Sequence, residues 1–330
     1  MIGLEHSLDL PARAPGVDYA TLAPGSPLPS EVLAAVVFGA PASQLPDPRC
    51  IGVGLRPLMG CGTVELWRAS GPVETGCAGP VRFAADSEHL AGMVELDERE
   101  HGGLAAAAER AYAVIRRFQS SSDHPYLLRA WNYFDAINRG AADQERYKQF
   151  CLGRARGLEP WPAGRYPAAS AVGRCDGEPR LQVFFLAGRT GGTPIENPRQ
   201  ISAYHYPRRY GPAAPTFARA MLAERLLLIS GTASIVGHAS HHADSLAAQI
   251  DESLANLSSI LTHATTALPT LAPRWDERSL FKVYLRDGAA AHQAAAHLAA
   301  RLPPGARYLM LQAEICRSEL LVEIECVHRA

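Results

Sequence analysis

Charge is sparse in this 330-residue chain: Asp, Glu, Lys and Arg together make up 20% of it, and the formal net charge is -1. Without a basic stripe there is no electrostatic footprint for a polyanion, so nucleic acid is not an expected partner. Cysteine is an odd, scattered set of seven (Cys50, Cys61, Cys77, Cys151, Cys175, Cys316 and Cys326) with no CxxC pair. That spacing fits neither a disulfide framework nor a zinc ribbon, and it agrees with a reducing compartment. No apolar run approaches the length of a membrane span. The first residues, Met1-Ile-Gly-Leu-Glu-His-Ser-Leu8, carry neither a basic stretch nor the long apolar stretch of a secretion signal. The expectation is a cytoplasmic protein off the membrane.

What the chain does have is a 47% hydrophobic composition, enough for a full core at this length. Residues 10 to 50 read as Pro-, Ala- and Gly-rich loop around a first strand at Val32 to Phe38. Extended runs follow at Cys61 to Arg68, Val81 to Ala84 and Met93 to Leu96, before an Ala-rich helix from Gly103 to Ser120. An aromatic strand from Tyr126 to Asn138, a helix over Ala142 to Arg156 and a strand over Leu181 to Leu186 complete the first half. In the second half, Phe217 to Ile229 leads through a strand into Ser230-Gly231. Leu246, Ile250, Leu254, Leu257 and Leu261 then stand at helical spacing. A strand over Ser279 to Leu285, an Ala-rich helix over Gly288 to Leu302, and a hairpin of Arg307 to Cys316 with Leu320 to Cys326 close the chain. The order βαβαββ makes each half an α+β unit with mixed sheets, and the repeated grammar points to duplication.

Two segments carry polar groups a core does not need: the strand broken by Ser230-Gly231, and Val322-Glu323-Ile324-Glu325, which places both carboxylates on one face. A carboxylate on an interior strand loses several kcal/mol of solvation unless a partner or a reaction uses it. The bland alternative is a surface strand with both glutamates in water. His238, His241 and His242 show no HExxH pattern, and we read them as solvated histidines capping a helix start. Gly188 to Gly192 lacks the fingerprints of a phosphate loop and reads as plain loop.

Residues Pro215 to Arg329 resemble the RidA/YjgF small-domain family in the Ser230-Gly231 strand end, the Asn256-Leu257 helix and the closing Val322-Glu-Ile-Glu325 strand. The arginine that RidA enzymes place about fifteen residues before the first glutamate is absent, with Tyr308 in its place, which argues against imine hydrolysis. Over nearly the whole chain the sequence resembles the chorismatases. The segments that carry this are Arg146-Tyr147-Lys-Gln-Phe-Cys-Leu-Gly-Arg154, Gly191-Gly-Thr-Pro-Ile-Glu-Asn-Pro-Arg-Gln200, Ser202-Ala-Tyr-His-Tyr-Pro207 and Ser230-Gly-Thr-Ala-Ser-Ile-Val-Gly-His238. The resemblance implies two RidA/YjgF-like (chorismate-mutase-like) units with helices packed on one face of each sheet. A diverged unit would span residues 1-195 and a catalytic one residues 196-330.

It also implies chorismate as the small-molecule partner, with no cofactor and no metal. Chorismate has two carboxylates and a hydroxyl, so its site needs cation clusters and a proton donor. By resemblance Glu323 is the general acid that protonates the enolpyruvyl ether, and burial would keep it protonated near neutral pH. Glu325 is structural or stands behind it. The carboxylate-binding candidates are Arg154, Arg209 and Arg219, with the phenols of Tyr147 and Tyr206 as donors. Gly231 would let substrate approach the backbone, and Cys316, taken to lie on the strand paired with that of Glu323, is in the plain reading a buried small hydrophobe and by resemblance a substrate-binding position. Glycine at 231 with cysteine at 316 looks like the pattern that yields 3-hydroxybenzoate, with 4-hydroxybenzoate as a second product in one branch. Hydrolysis to a dihydroxycyclohexadiene carboxylate, or a RidA-like protein that binds small carboxylates without turnover, are the alternatives. Free-standing RidA domains form trimers, so both monomer and trimer stay open.

Overall fold

The computed structural model describes residues 16–21, 27–40, 45 and 47–330; the part of the Pro-rich loop reading that falls on other positions lies outside them. The chain opens with strands β1 (Val17–Ala20), β2 (Val32–Phe38), β3 (Cys50–Val53), β4 (Pro57–Gly60) and β5 (Val64–Arg68). Strands β1, β5, β2 and β3 form a small sheet in that order.

Next come β6 (Glu74–Ala78), β7 (Val81–Ala85), β8 (His89–Asp97), helix α1 (Leu104–Ser120), β9 (Tyr126–Asp135), α2 (Arg146–Leu158), β10 (Ala168–Arg174) and β11 (Arg180–Gly188). Their sheet runs β6-β7-β8-β11-β9-β10. The remainder comprises β12 (Thr193–Ile195), β13 (Ala220–Ala223), β14 (Leu226–Ala233), a two-residue hairpin β15 (Ile235–Val236) and β16 (Ala239–Ser240), α3 (Leu246–Ala264), β17 (Ser279–Leu285), α4 (Ala291–Ala299), β18 (Arg307–Gln312) and β19 (Val322–Arg329). This third sheet runs β12-β13-β14-β19-β17-β18, with β4 added at its edge.

Strand for strand, the third sheet repeats the second. The parallel pair β9/β10 matches β17/β18, and the antiparallel pairs β8/β11 and β11/β9 match β14/β19 and β19/β17. The duplication expected from the element order is therefore present in the topology, and the fold is α+β with mixed sheets. Three local readings need correction. Val32–Phe38 is not the first strand, because β1 comes before it within the stretch read as loop. Arg307–Gln312 and Val322–Arg329 do not form a hairpin: each pairs with β17, one parallel and one antiparallel, so β17 lies between them. Cys316 accordingly sits in the loop after β18, not on a strand paired with that of Glu323. Phe217 to Ile229 is also not one strand but enters a tight hairpin at Glu224-Arg225, where Glu224 adopts a left-handed conformation.

Helices cover one face of each repeated sheet because their apolar residues recur on one stripe. Leu104, Ala107, Ala108, Ala111, Tyr112 and Ile115 are the buried positions of α1, at the spacing of a single helix face. Helix α3 starts at Ser245, whose hydroxyl caps Ala248 N at 3.3 Å. Its Asn256 reaches back to the carbonyls of Ala233 and Ile235 at 3.1 and 2.9 Å, tying the helix to the end of β14. The uncovered faces of all three sheets turn toward one core that joins Trp67, Trp131, Phe184, Leu228 and Tyr284. Strand periodicity then decides the rest. Val322, Ile324 and Cys326 pack under α3 and α4, which directs Glu323 and Glu325 toward the centre.

Candidate active site

At the edge of that centre a cavity of about 230 Å³ opens between α2, β10, the Ser202–Pro215 segment, β14 and the loop after β18. All eight residues singled out from the sequence line it: Tyr147, Arg154, Tyr206, Arg209, Arg219, Gly231, Cys316 and Glu323.

Glu323 is 4% exposed, so the solvated-strand reading is excluded for it. Among the described residues no side chain or backbone group donates a hydrogen bond to its carboxyl. Burial raises its pKa to about 8, the Glu325 charge adds to the rise, and Arg129 and Arg219 offset part of it. The carboxyl is thus the acid form at neutral pH.

Gly231 faces it across a break in the β14–β19 ladder, whose register shifts between Ile229 and Thr232. Ser230 holds the break in place, its buried hydroxyl donating to Ala218 O at 2.6 Å and accepting from Ala169 N at 2.8 Å. The released Gly231 N–H donates to Ser170 Oγ at 2.9 Å.

Cations surround the acid without pairing to it. Arg154, on the second turn of α2 from Tyr147, is 3% exposed, and its Nε and Nη2 have no partner among the described residues. A buried guanidinium left with free N–H groups forfeits solvation that an anionic ligand can return. It stacks 4.8 Å from the Tyr112 ring. Arg219, equally buried, spends Nη2 on Ile201 O and Tyr206 OH at 2.9 and 2.8 Å and leaves Nε free. Arg209 is exposed at the mouth, where Nη2 donates to His238 Nδ1 at 2.9 Å. Burial pushes the Tyr147 phenol and the Cys316 thiol up, so both are neutral donors beside the acid.

The histidine reading needs correction too. His238 sits in the β15–β16 turn at the mouth of the cavity, and the α3 cap is Ser245. Among the described residues no group of His, Cys, Asp and Glu is arranged for a metal.

Sequence reasoning missed Arg317, Ser170 and Arg129. Arg317 stacks 4.2 Å from the Tyr210 ring and donates to His238 O and Ser240 Oγ at 3.0 and 2.9 Å, lining the cavity from the loop after β18. Reading Arg317-Ser-Glu319 as a hairpin turn hid it. Arg129 is a fully buried cation inside the aromatic β9 strand. The signal for it was the one used for Glu323, a charge on an interior strand.

Fold and site together define a duplicated α+β protein with a cation-lined cleft beside a buried carboxyl. Residues 65–187 match the family described as "Chorismatase FkbO/Hyg5-like, N-terminal". The chain is 34% identical over 278 residues to a chorismatase of Streptomyces rapamycinicus, covering 80% of this chain and 81% of the relative. To a 3-hydroxybenzoate synthase of Streptomyces hygroscopicus it is 34% identical over 279 residues, 80% of each. A chorismatase crystal structure superposes with a TM-score of 0.84 at 30% identity, over 96% of this chain and 98% of that one. The chain belongs to the chorismatase family.

Proposed function

We propose that the protein releases pyruvate from chorismate and gives 3-hydroxybenzoate, acting without a cofactor in the reducing cytoplasm. The observation that carries this is Glu323: a buried carboxyl with no hydrogen-bond donor, raised to about 8, in a cleft where buried guanidiniums have unused N–H groups. Arg154 and Arg219 are the groups for the two carboxylates of the substrate, with Arg209 and Arg317 at the mouth and the Tyr147 and Tyr206 hydroxyls as neutral partners. In this reading the unit from residue 196 on holds the acid, and the unit ending at residue 195 supplies Tyr147 and Arg154.

Glu323 gives its proton to the methylene carbon of the enolpyruvyl group, which becomes the methyl of pyruvate. The bond from the ether oxygen to the ring then breaks. The neighbouring ring hydroxyl closes on the vacated carbon and returns its proton to Glu323, leaving an arene-oxide-like ring that opens and aromatises to 3-hydroxybenzoate. No water is consumed, and substrate and products balance atom for atom. Gly231 leaves the room that the Glu323 carboxyl occupies, and Cys316 lines the cleft beside it, an arrangement in which the internal hydroxyl is favoured over water.

The test is incubation with chorismate, with pyruvate followed through a lactate dehydrogenase couple and the ring product identified by chromatography. Pyruvate with an aromatic acid is the expected result. A dihydroxycyclohexadiene carboxylate as sole product overturns the product assignment, and no pyruvate at all overturns the activity.

A further inference from the structure

Beneath the cleft the three sheets meet in a cluster of buried charge that substrate binding does not use. Glu325 lies two residues from Glu323 on β19 and so on the same face, but its surroundings are the reverse. Its Oε2 accepts from Arg129 Nη2 at 2.8 Å and from the Ser170 hydroxyl at 2.5 Å. Its Oε1 accepts from Trp131 Nε1 and from Lys282 Nζ, both at 2.8 Å. Lys282 continues to Glu65 Oε2 at 2.6 Å, and Glu65 Oε1 accepts from Trp67 Nε1 at 2.8 Å. Two carboxylates and two cations, all deeply buried, balance one another. Well-packed apolar side chains would hold these sheets together without the desolvation cost, so stability alone is a poor account of the cluster.

Ser170 links the cluster to the cleft. Its one proton goes to Glu325, while its oxygen accepts from Arg129 Nη2 at 2.6 Å and from Gly231 N at 2.9 Å. A hydroxyl has one donor and two acceptor sites, and all three are filled. Ser170 therefore cannot turn its proton to Glu323, although both oxygens border the space over Gly231.

We propose that Glu325, held as a permanent anion by Arg129, Lys282, Trp131 and Ser170, is a positioning residue that keeps the adjacent Glu323 carboxyl protonated between turnovers. The proposal rests on reading Glu323 as the acid. After Glu323 has given up its proton, a second carboxylate beside a fixed one is unfavourable, so Glu323 recovers the proton that the ring hydroxyl releases.

The other groups facing Glu323 offset only part of this repulsion. Arg129 approaches from β9, but its Nη2 is engaged by Glu325 and Ser170 and its Nη1 by Ala130 O at 3.0 Å. Arg219, ahead of β13, spends Nη2 on Ile201 O and Tyr206 OH. Tyr147 and Arg154 from α2, and Cys316 and Arg317 from the loop after β18, complete the surround; Tyr147 and Cys316 are neutral.

The experiment is the pH profile of kcat/KM for pyruvate release by the full-length protein, for wild type, Glu325→Gln, Glu325→Asp and the double variant Glu325→Gln/Lys282→Met. The double variant removes one charge of each sign. The alkaline limb of Glu325→Gln is expected to move down by about one pH unit or more, and Glu325→Asp, which restores the anion, to bring most of that shift back. The double variant should shift the same way, and it decides the matter if the single one does not fold. An alkaline limb that stays where it is in a folded variant lacking the Glu325 charge overturns the proposal. Failure of the charge-balanced double variant to fold also overturns it, because the cluster would then be a structural cornerstone. A Glu323→Gln control separates the two readings. Undiminished turnover there removes the acid itself, while an inactive control with an unmoved Glu325→Gln profile removes only the role of Glu325.

Discussion

Gly231 and Glu323 share one space: a Cβ added to Gly231 would fall inside the van der Waals envelope of Glu323 Oε1 and 2.6 Å from its Cδ. The backbone at 231 is not left-handed, so sterics are the only obstacle to a side chain there. The obstructing atoms are the far end of a flexible side chain, which can swing to another rotamer.

The Gly231→Ala variant is therefore expected to fold and to displace the carboxyl. Misplacing a reacting group by about an ångström costs up to about a hundredfold in rate. Pyruvate release should fall by about ten- to a hundredfold, and the share of diene over hydroxybenzoate should rise as water gains access from the vacated side. Chromatography of the ring products checks this, and an unchanged product ratio with an unchanged rate would show that the carboxyl does not work from its present position.

Glu323 also sets a pH dependence of folding opposite to that of most carboxylates. Its pKa rises from 4.5 to about 8 in the native protein, with burial as the main cause. Between those values the unfolded chain has released a proton that the native protein still holds. The stability this group allows is full at and below pH 4.5, falls by about 1.4 kcal/mol per pH unit above it, and levels off beyond about pH 8. Glu323→Gln removes that slope. In thermal melts the variant should gain on wild type steadily from pH 5 to pH 8, and a constant difference across that range would mean the carboxyl is already ionised in the folded state.

Much of this site could be read in the sequence because its chemistry lies in short continuous motifs. Val322-Glu-Ile-Glu325 alternates apolar and acidic residues, and a strand of period two must bury one set against the helices and send the other inward. Tyr147 and Arg154 came from the chorismatase-like motif over residues 146–154, which the helix read over Ala142 to Arg156 carries. Pairing order was less legible. The βαβαββ reading gave the helices and most long strands but missed β10, which lies parallel to β9, and nothing local told Arg307–Gln312 to lie parallel to β17 instead of folding back on β19. The charged cluster was hidden more deeply. Glu65, Arg129, Lys282 and Glu325 are scattered along the chain, and a charge on an interior strand marks each as unusual without telling which of the others it meets. Only the convergence of three sheets gives them partners.

Arg154 and Arg219 differ in what they have to spare, and their variants should differ accordingly. Among the described residues, Arg154 has two buried nitrogens, Nε and Nη2, without a partner, whereas in Arg219 Nη2 holds Ile201 O and Tyr206 OH and Nε is the buried nitrogen left over. A hydrogen bond to a charged group contributes about 1.5–3 kcal/mol. Arg154→Met is expected to raise KM for chorismate by about ten- to a hundredfold. Arg219→Met should combine a similar loss of affinity with a lower kcat, since it also frees the Tyr206 wall of the cleft and removes a cation that opposes the Glu323 shift. Steady-state kinetics separate the two, and equal effects on KM alone would place both arginines in uniform binding of substrate.

At the mouth, Arg317 and Arg209 carry the same charge but are held very differently. Arg317 is fixed by two hydrogen bonds, to His238 O and Ser240 Oγ, and by the Tyr210 ring under its guanidinium. Arg209 is exposed and held, among the described residues, by His238 and Tyr210 alone. A guanidinium already locked in place loses little further entropy when an anion arrives, whereas a mobile surface one must be ordered first and is screened by salt. Arg317→Ala should therefore weaken chorismate binding by about tenfold at any ionic strength, and Arg209→Ala by no more than about threefold, with that effect vanishing in high salt. Binding isotherms of the Glu323→Gln form at two salt concentrations measure both. The reverse ranking would mean that the exposed arginine folds over the ligand and that the fixed one serves only to brace the loop.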